Sequence, residues 1–191
     1  MKNRCWIAIV FVLFLFWACN TQQSQPKPHG YFRITLPEKS YQDFETEHFI
    51  FRYPEYATIF IDPFHNDQKD WFDISFPDLN AKIHMSYHAV HNNFDTLTED
   101  VRAIALKHIP KASGIKYTVV ERDEADVYGL IYDISGIGSA SPSQFFISDT
   151  TMHFLRGSLY FNHTPNNDSI APVIDFIRSD IDTMIYSLHW K

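Results

Sequence analysis

The chain has 191 residues, of which 45% are hydrophobic, 16% aromatic and 20% charged, enough apolar surface for one folded domain, so a disordered chain is excluded. The formal net charge is −7 and no lysine- or arginine-rich tract occurs, so no nucleic-acid partner is expected. Both cysteines, Cys5 and Cys19, lie in the first 19 residues, and the rest of the chain therefore folds without a disulfide.

The N-terminal segment resembles a bacterial lipoprotein signal. Residues 1–4 include two basic side chains, residues 6–17 are apolar throughout, and Ala18 precedes Cys19. The apolar run is too short to span a membrane comfortably as a mature helix. We therefore predict a signal peptide over residues 1–18 and a mature chain that begins at Cys19, whose acyl chains, palmitate among them, anchor it in the membrane.

The residues around this cysteine also leave alternatives open. Phe16 and Trp17 replace the usual leucine and small residue of the lipoprotein pattern, so an uncleaved anchor and plain secretion remain alternatives. Residues 19–30 are polar and aperiodic, which is typical of a tether. No acidic pair resembling a surface-export signal follows Cys19. We therefore expect one globular domain, residues 31–191, that faces the periplasm.

Hydrophobic patterning in this domain predicts strands, a helix, further strands and a second helix. Short aromatic and β-branched runs between proline, glycine and polar turns predict the strands. Apolar residues at helical spacing predict a first helix that stops before Pro110, with Asn93 available as its cap. The predicted strands are residues 48–53, 58–61, 71–76, 81–90, 115–122, 127–134, 144–148 and 152–162, and the predicted helices are residues 94–109 and 169–190.

The second helix is predicted to pack on a sheet through one apolar stripe, with Pro172 tolerated in its first turn. Two helices are too few to connect many parallel strands, so the fold class is α+β, with a mainly antiparallel sheet and two packed helices. The element order resembles the Mog1/PsbP-like sandwich, a similarity of fold that implies no function. The charged residues expected to face away from the stripe are Asp175, Arg178, Asp180 and Asp182.

Polar clusters in the domain fit structural roles better than catalytic, metal-binding or phosphate-binding ones. His84 and His88 are four residues apart in a predicted strand, about 13 Å, which is too far to share one ion. We interpret them, with His91, as solvent-facing. Residues 136–141 match neither a nucleophile elbow nor a phosphate loop and predict a flexible turn, and the acidic residues 121–126 predict a solvated hairpin end. No catalytic residue, metal site or cofactor is predicted.

Four short motifs resemble the acceptor of Bacteroidetes O-glycosylation. Each places a serine or threonine directly after an aspartate. Helix capping explains some of them equally well, since Asp168 and the serine after it are good helix-cap residues. The candidate acceptors are Thr96, Thr150, Ser169 and Thr183.

Longer motifs resemble one known family. They occupy residues 26–39, 128–136, 143–146, 153–162 and 165–169. These motifs are similar to those of the gliding motility lipoprotein GldD family, and the similarity extends from the signal cysteine to the end of the sequence. The resemblance implies a membrane-anchored component of the Bacteroidetes gliding and type IX secretion apparatus. Its implied partners are the lipid bilayer and other proteins of that apparatus, and it supplies no catalytic residues.

Two other classes of function stay open beside this non-enzymatic structural or assembly role. A deep pocket lined by convergent polar groups would favour a periplasmic module that binds a small molecule or a metal. A nucleophile hydrogen-bonded to an oriented base would favour a hydrolase. A shallow surface with an exposed apolar patch would favour the structural role, which we expect.

One face of the last predicted strand carries residue types that are typical of protein interfaces. Phe154, Arg156 and Tyr160 share this face because side chains alternate along a strand. An arginine between aromatic residues is a frequent interface hot spot, so we predict an interaction site here. The alternative, given equal weight, is that helices cover both faces and that Arg156 pairs with an aspartate such as Asp149 or Asp133.

Overall fold

The computed structural model describes residues 34–61 and 71–191. Cys19, the predicted signal peptide and the predicted tether lie outside these ranges. In the described part of the chain, neither helix is both long and apolar enough to cross a membrane. The elements in chain order are β1 (Tyr41–Glu45), β2 (Phe49–Pro54), β3 (Thr58–Phe60), β4 (Trp71–Phe76), β5 (Ala81–Ala89), α1 (Phe94–Leu106), β6 (Gly114–Arg122), β7 (Val127–Ser135), β8 (Ser143–Ser148), β9 (His153–Phe161), α2 (Ala171–Ser187) and β10 (His189–Trp190).

The strands form two antiparallel sheets. The small sheet has the order β1-β2-β10, and the large sheet has the order β3-β4-β5-β9-β8-β7-β6. Each neighbouring pair among the described strands is antiparallel. The predicted α+β class, with a mainly antiparallel sheet and two helices, is confirmed.

The main core lies between one face of the large sheet and a layer made by α2 and the small sheet. Ile83 of β5 and Leu155 of β9 point from the large sheet towards Ile177 and Ile181 of α2, and Phe51 of β2 completes the cluster. All five are buried. Burying one such side chain contributes about 1.5–3 kcal/mol, so each of the five stabilises the packing of α2 and the small sheet on the large sheet.

Helix α1 covers part of the opposite face of the large sheet. Val101 and Ala105 of α1 pack on Phe146 of β8 and Phe154 of β9. The two phenylalanine rings stack with their centroids 5.2 Å apart. This second cluster holds α1 over β8 and the start of β9, and it leaves the rest of this face open beside the helix.

The ends of several elements differ from the predicted ones, and α1 begins where it was predicted to begin but without a side-chain cap. Asn93 occupies the N-cap of α1, but its side chain makes no cap hydrogen bond, and its Oδ1 accepts the backbone N–H of His91 at 2.7 Å. Helix α1 stops at Leu106 rather than at residue 109, and α2 begins at Ala171 with Pro172 in its first turn. Strands β1 and β10 have no counterpart among the predicted strands.

Asp180 of α2 is buried, and the prediction that it faces away from the core is wrong. Its side chain is 1% exposed. It accepts hydrogen bonds from Lys39 Nζ at 2.8 Å, from Tyr41 Oη at 2.9 Å and from the hydroxyl of Tyr56. These donors replace water around the carboxylate, and so permit its burial. Burial, together with the hydrogen bond to Asp180, raises the pKa of Tyr56 well above its usual value.

Replacing Lys39 with methionine should lower the free energy of unfolding by about 2 kcal/mol, because it leaves a buried carboxylate without its cation. We expect a smaller loss than the roughly 3–5 kcal/mol that follows when a fully buried ion pair is broken, since the lysine side chain is 29% exposed. Urea denaturation measures the change. The matched control is Arg102→Ala, which breaks an exposed pair with Glu99 and should cost about 0–1 kcal/mol. Equal losses in the two variants would contradict this role of Lys39.

Candidate functional site

A pocket of about 680 Å³ lies between α1 and the open part of the large sheet. Strands β4, β5 and β9 form its floor, and one side of α1 forms its wall. Its volume lies within the roughly 300–1,000 Å³ that is typical of small-molecule sites.

The alternation of β9 places the predicted interaction residues on the face that bears this pocket. Phe154, Arg156, Ser158 and Tyr160 all line it. Phe154, however, is 1% exposed, because α1 packs directly over it. The expectation that Phe154 is an outward contact residue is therefore wrong, whereas Arg156 and Tyr160 are only partly buried.

The guanidinium of Arg156 forms no ion pair with, and donates no hydrogen bond to, any residue that the structure describes. Both proposed carboxylate partners are engaged elsewhere. Asp133 Oδ1 lies 3.0 Å from Nε of Arg178. Asp149 accepts the backbone N–H groups of residues 151–153 at 2.7–3.0 Å. The alternative in which Arg156 pairs with Asp133 or Asp149 is therefore wrong.

The charged side chains that line the pocket carry an excess of positive charge. Arg156 and Lys107 face one carboxylate, that of Asp100. His84 also lines the pocket, and its Nδ1 lies 2.5 Å from a carboxylate oxygen of Asp73. Burial lowers the pKa of Arg156, which indicates that water solvates its charge incompletely. The whole chain has a net charge of −7, so the excess of positive charge at the pocket is opposite in sign to the charge of the chain.

The floor of the pocket also contains a buried hydroxyl without a hydrogen-bond partner. Ser158 is 3% exposed, and its Oγ bonds to no group in the described residues. It faces Gln144 of β8, whose Oε1 is likewise buried and unpartnered, while the amide nitrogen lies 3.0 Å from Nε2 of His108. Buried polar groups are normally hydrogen-bonded, so these two facing groups are exceptions that lie under the floor of the pocket. Alternation along β9 places Ser158 on the same face as Arg156, but no sequence pattern indicates its burial.

The histidines of β5 line the same pocket but do not form a metal centre. Ile83, Met85 and Tyr87, which alternate with the histidines, are buried as predicted. His84 is exposed, while His88 is half-buried beside α1. In residues 34–61 and 71–191, no group of three or more histidine, cysteine, aspartate or glutamate side chains is arranged to hold a metal ion.

The glycine- and serine-containing loop at residues 136–141, which we expected to be a flexible turn, is held by buried hydrogen bonds. Ser139 and Ser141 are buried, and their hydroxyls donate to the backbone carbonyls of Ser141 and Ser143. The side-chain amide of Asn167 donates to the carbonyls of Gly136 and Ser139, at 2.9 Å each. Asn167 therefore fixes this loop, a role that no sequence pattern indicated.

The acidic residues form the turn between β6 and β7, as predicted. Asp123–Ala125 form a 3₁₀ turn, and Asp126 adopts a left-handed conformation with φ of 49°. Glu121, Asp123, Glu124 and Asp126 are all exposed.

Three of the four predicted glycosylation acceptors are exposed. Thr96 lies in the first turn of α1, Thr150 in the turn between β8 and β9, and Ser169 just before α2. Thr183 is half-buried in α2, where its hydroxyl donates to the carbonyl of Ser179 at 2.9 Å. Glycosylation at these positions stays a prediction, and Thr183 is the least accessible of the four.

Comparison with known proteins assigns the family. The family described as "Gliding motility lipoprotein GldD" matches residues 21–190, which include both sheets, both helices and the pocket. No curated protein matches the chain. The match extends over nearly the whole sequence, and the chain therefore belongs to the gliding motility lipoprotein GldD family.

Proposed function

We propose that this protein is a membrane-anchored component required for gliding motility and for the assembly or function of the associated type IX secretion apparatus, in a non-catalytic structural or assembly role. The family match over residues 21–190 carries the proposal. Its partners are then the lipid bilayer and other proteins of the machinery, without a nucleic acid.

The proposed arrangement at the membrane follows from the N-terminal sequence. Residues 1–18 are removed as a signal peptide, and Cys19 becomes the acylated first residue. Residues 19–30 form a tether that extends to at most about 40 Å. The single domain, residues 31–191, therefore works close to the membrane, on its periplasmic side.

Replacing Cys19 with serine should abolish acylation, because the thioether bond to lipid needs the sulfur atom. The variant should move from the membrane fraction to the soluble fraction or retain its signal peptide, and the cells should stop gliding. Mass spectrometry of the purified protein measures the modification. A wild-type chain that begins at Met1, or that carries an unmodified Cys19 in a soluble fraction, would contradict the proposed anchor.

The hydrogen bonds of the best nucleophile candidates support a non-catalytic role. Ser139 and Ser141, in the loop that most resembled a catalytic motif, donate to backbone carbonyls and not to a histidine or a carboxylate. A serine nucleophile needs an adjacent base that accepts its proton. These two hydroxyls therefore act as loop-fixing groups.

Within this role we assign contacts with the machinery to Arg156 and Tyr160. Both are partly exposed at the pocket, whereas Phe154 supports the packing of α1. An arginine next to an aromatic ring is a frequent anchor in protein interfaces, which supports the assignment.

A further inference from the structure

Arg156 has the properties of a ligand-binding arginine rather than of a structural one. It is partly buried, yet no described carboxylate or carbonyl accepts its hydrogen bonds. Leaving a charged donor unsatisfied when water is partly excluded costs free energy. The planar guanidinium presents parallel N–H donors that fit the two oxygens of a carboxylate or a phosphate.

Lys107 can bind the same group. It lies next to the end of α1, is exposed, and adds a second positive charge at the same pocket. A lysine ammonium binds a carboxylate or a phosphate as a point charge. Arg156 and Lys107 thus bring two positive charges to one pocket, one from a strand and one from a helix end.

The rest of the pocket is apolar. Leu97, Val101 and Ile104 of α1 line the wall, and the ring of Trp71 lines the floor. Trp71 is 47% exposed and adds an aromatic surface to the pocket. These surfaces suit a hydrocarbon or aromatic body attached to the anionic group.

We propose that the pocket between α1 and the large sheet binds a small organic anion. Its carboxylate or phosphate group is held by Arg156 and Lys107, and its apolar body lies against α1. This inference rests on the pocket and goes beyond the role in motility. It shares the assignment of Arg156 with the proposed function, whereas the family match and the membrane anchor do not depend on it.

The test is isothermal titration calorimetry on the full-length chain in non-ionic detergent, with titrations into protein-free micelles subtracted. The probes are benzoate, phenyl phosphate and the uncharged benzamide. At least one anion should bind about tenfold or more tightly than benzamide, since hydrogen bonds to charged groups contribute about 1.5–3 kcal/mol. Binding of benzoate alone identifies a carboxylate ligand, and binding of phenyl phosphate alone identifies a phosphate ligand.

Two variants and one control locate the site. Arg156→Ala should weaken anion binding about tenfold or more, and Lys107→Ala about threefold or more. Lys107→Ala should also leave the melting temperature unchanged, because Lys107 is exposed. The control, Arg102→Ala, removes an exposed arginine of the same helix that does not line the pocket, and it should bind as the wild type does.

The proposal is overturned if neither anion binds more tightly than benzamide, or if Arg156→Ala binds the anions as tightly as the wild type. It is also overturned if both pocket variants lose binding only together with the folded state, as measured by circular dichroism. That result would assign Arg156 a structural role.

Discussion

Cells that carry Arg156→Ala should stop gliding while the protein remains folded and anchored. The expectation rests on a guanidinium that is partly exposed at a pocket and has no partner among the described residues. Its removal breaks no internal ion pair, so the melting temperature should change little. Gliding speed on agar, secretion of cargo and the amount of membrane-bound protein are the measurements.

One further variant separates the charge of Arg156 from the planar shape of its guanidinium, and a second variant is the control. Arg156→Lys keeps the charge but not the planar fork, so it should restore little function. Arg102→Ala, on an exposed face of α1, should glide normally. If Arg156→Ala glides as the wild type does, Arg156 has no part in the function. A loss of thermal stability together with gliding would show that its role is structural.

Replacing Gly129 with alanine should lower the free energy of unfolding by about 3 kcal/mol or more. A Cβ at this position in β7 would lie 2.0 Å from the carbonyl oxygen of Phe146 in β8. The obstructing atom belongs to the backbone, so relief requires β7 and β8 to separate and their hydrogen bonds to lengthen. The midpoint of urea denaturation reports the change.

Gly114 in β6 supplies the matched control for this substitution. A Cβ at Gly114 would have no neighbouring atom within 4 Å. Gly114→Ala should therefore leave stability unchanged or raise it by up to about 1 kcal/mol, through the loss of unfolded-state entropy. Similar destabilisation by both substitutions would show that strand propensity, and not the close approach of two strands, sets the effect.

Aromatic and β-branched runs predicted the strands of the large sheet well because both the runs and the turn residues between them are local features of the sequence. Strand β4 matches its predicted residues, β5 through β8 differ by one residue at one end, and β9 differs by one residue at each end. The small sheet was less predictable. Strand β1 is mostly exposed and β10 has two residues, so neither carries a recognisable pattern.

The candidate site could be predicted only in part. Alternation places Arg156 and Tyr160 on the face opposite the main core. It carries no information about where α1 packs, and so the prediction that Phe154 is an outward contact residue was wrong. The prediction that Asp180 faces away from the core was wrong because it, too, depends on contacts between distant elements. Its partners lie 124–141 residues away in sequence, and no local pattern shows that they surround it.

The small sheet also constrains the order in which the domain folds. Strand β2 needs β10 as its second neighbour, and Phe49 and Phe51 need α2 as their cover. These partners come from residues 171–190, which are synthesised long after β2. Until then, an aromatic strand has one unpaired edge and uncovered rings, which favours aggregation. The small sheet therefore closes only when the last residues of the domain are available.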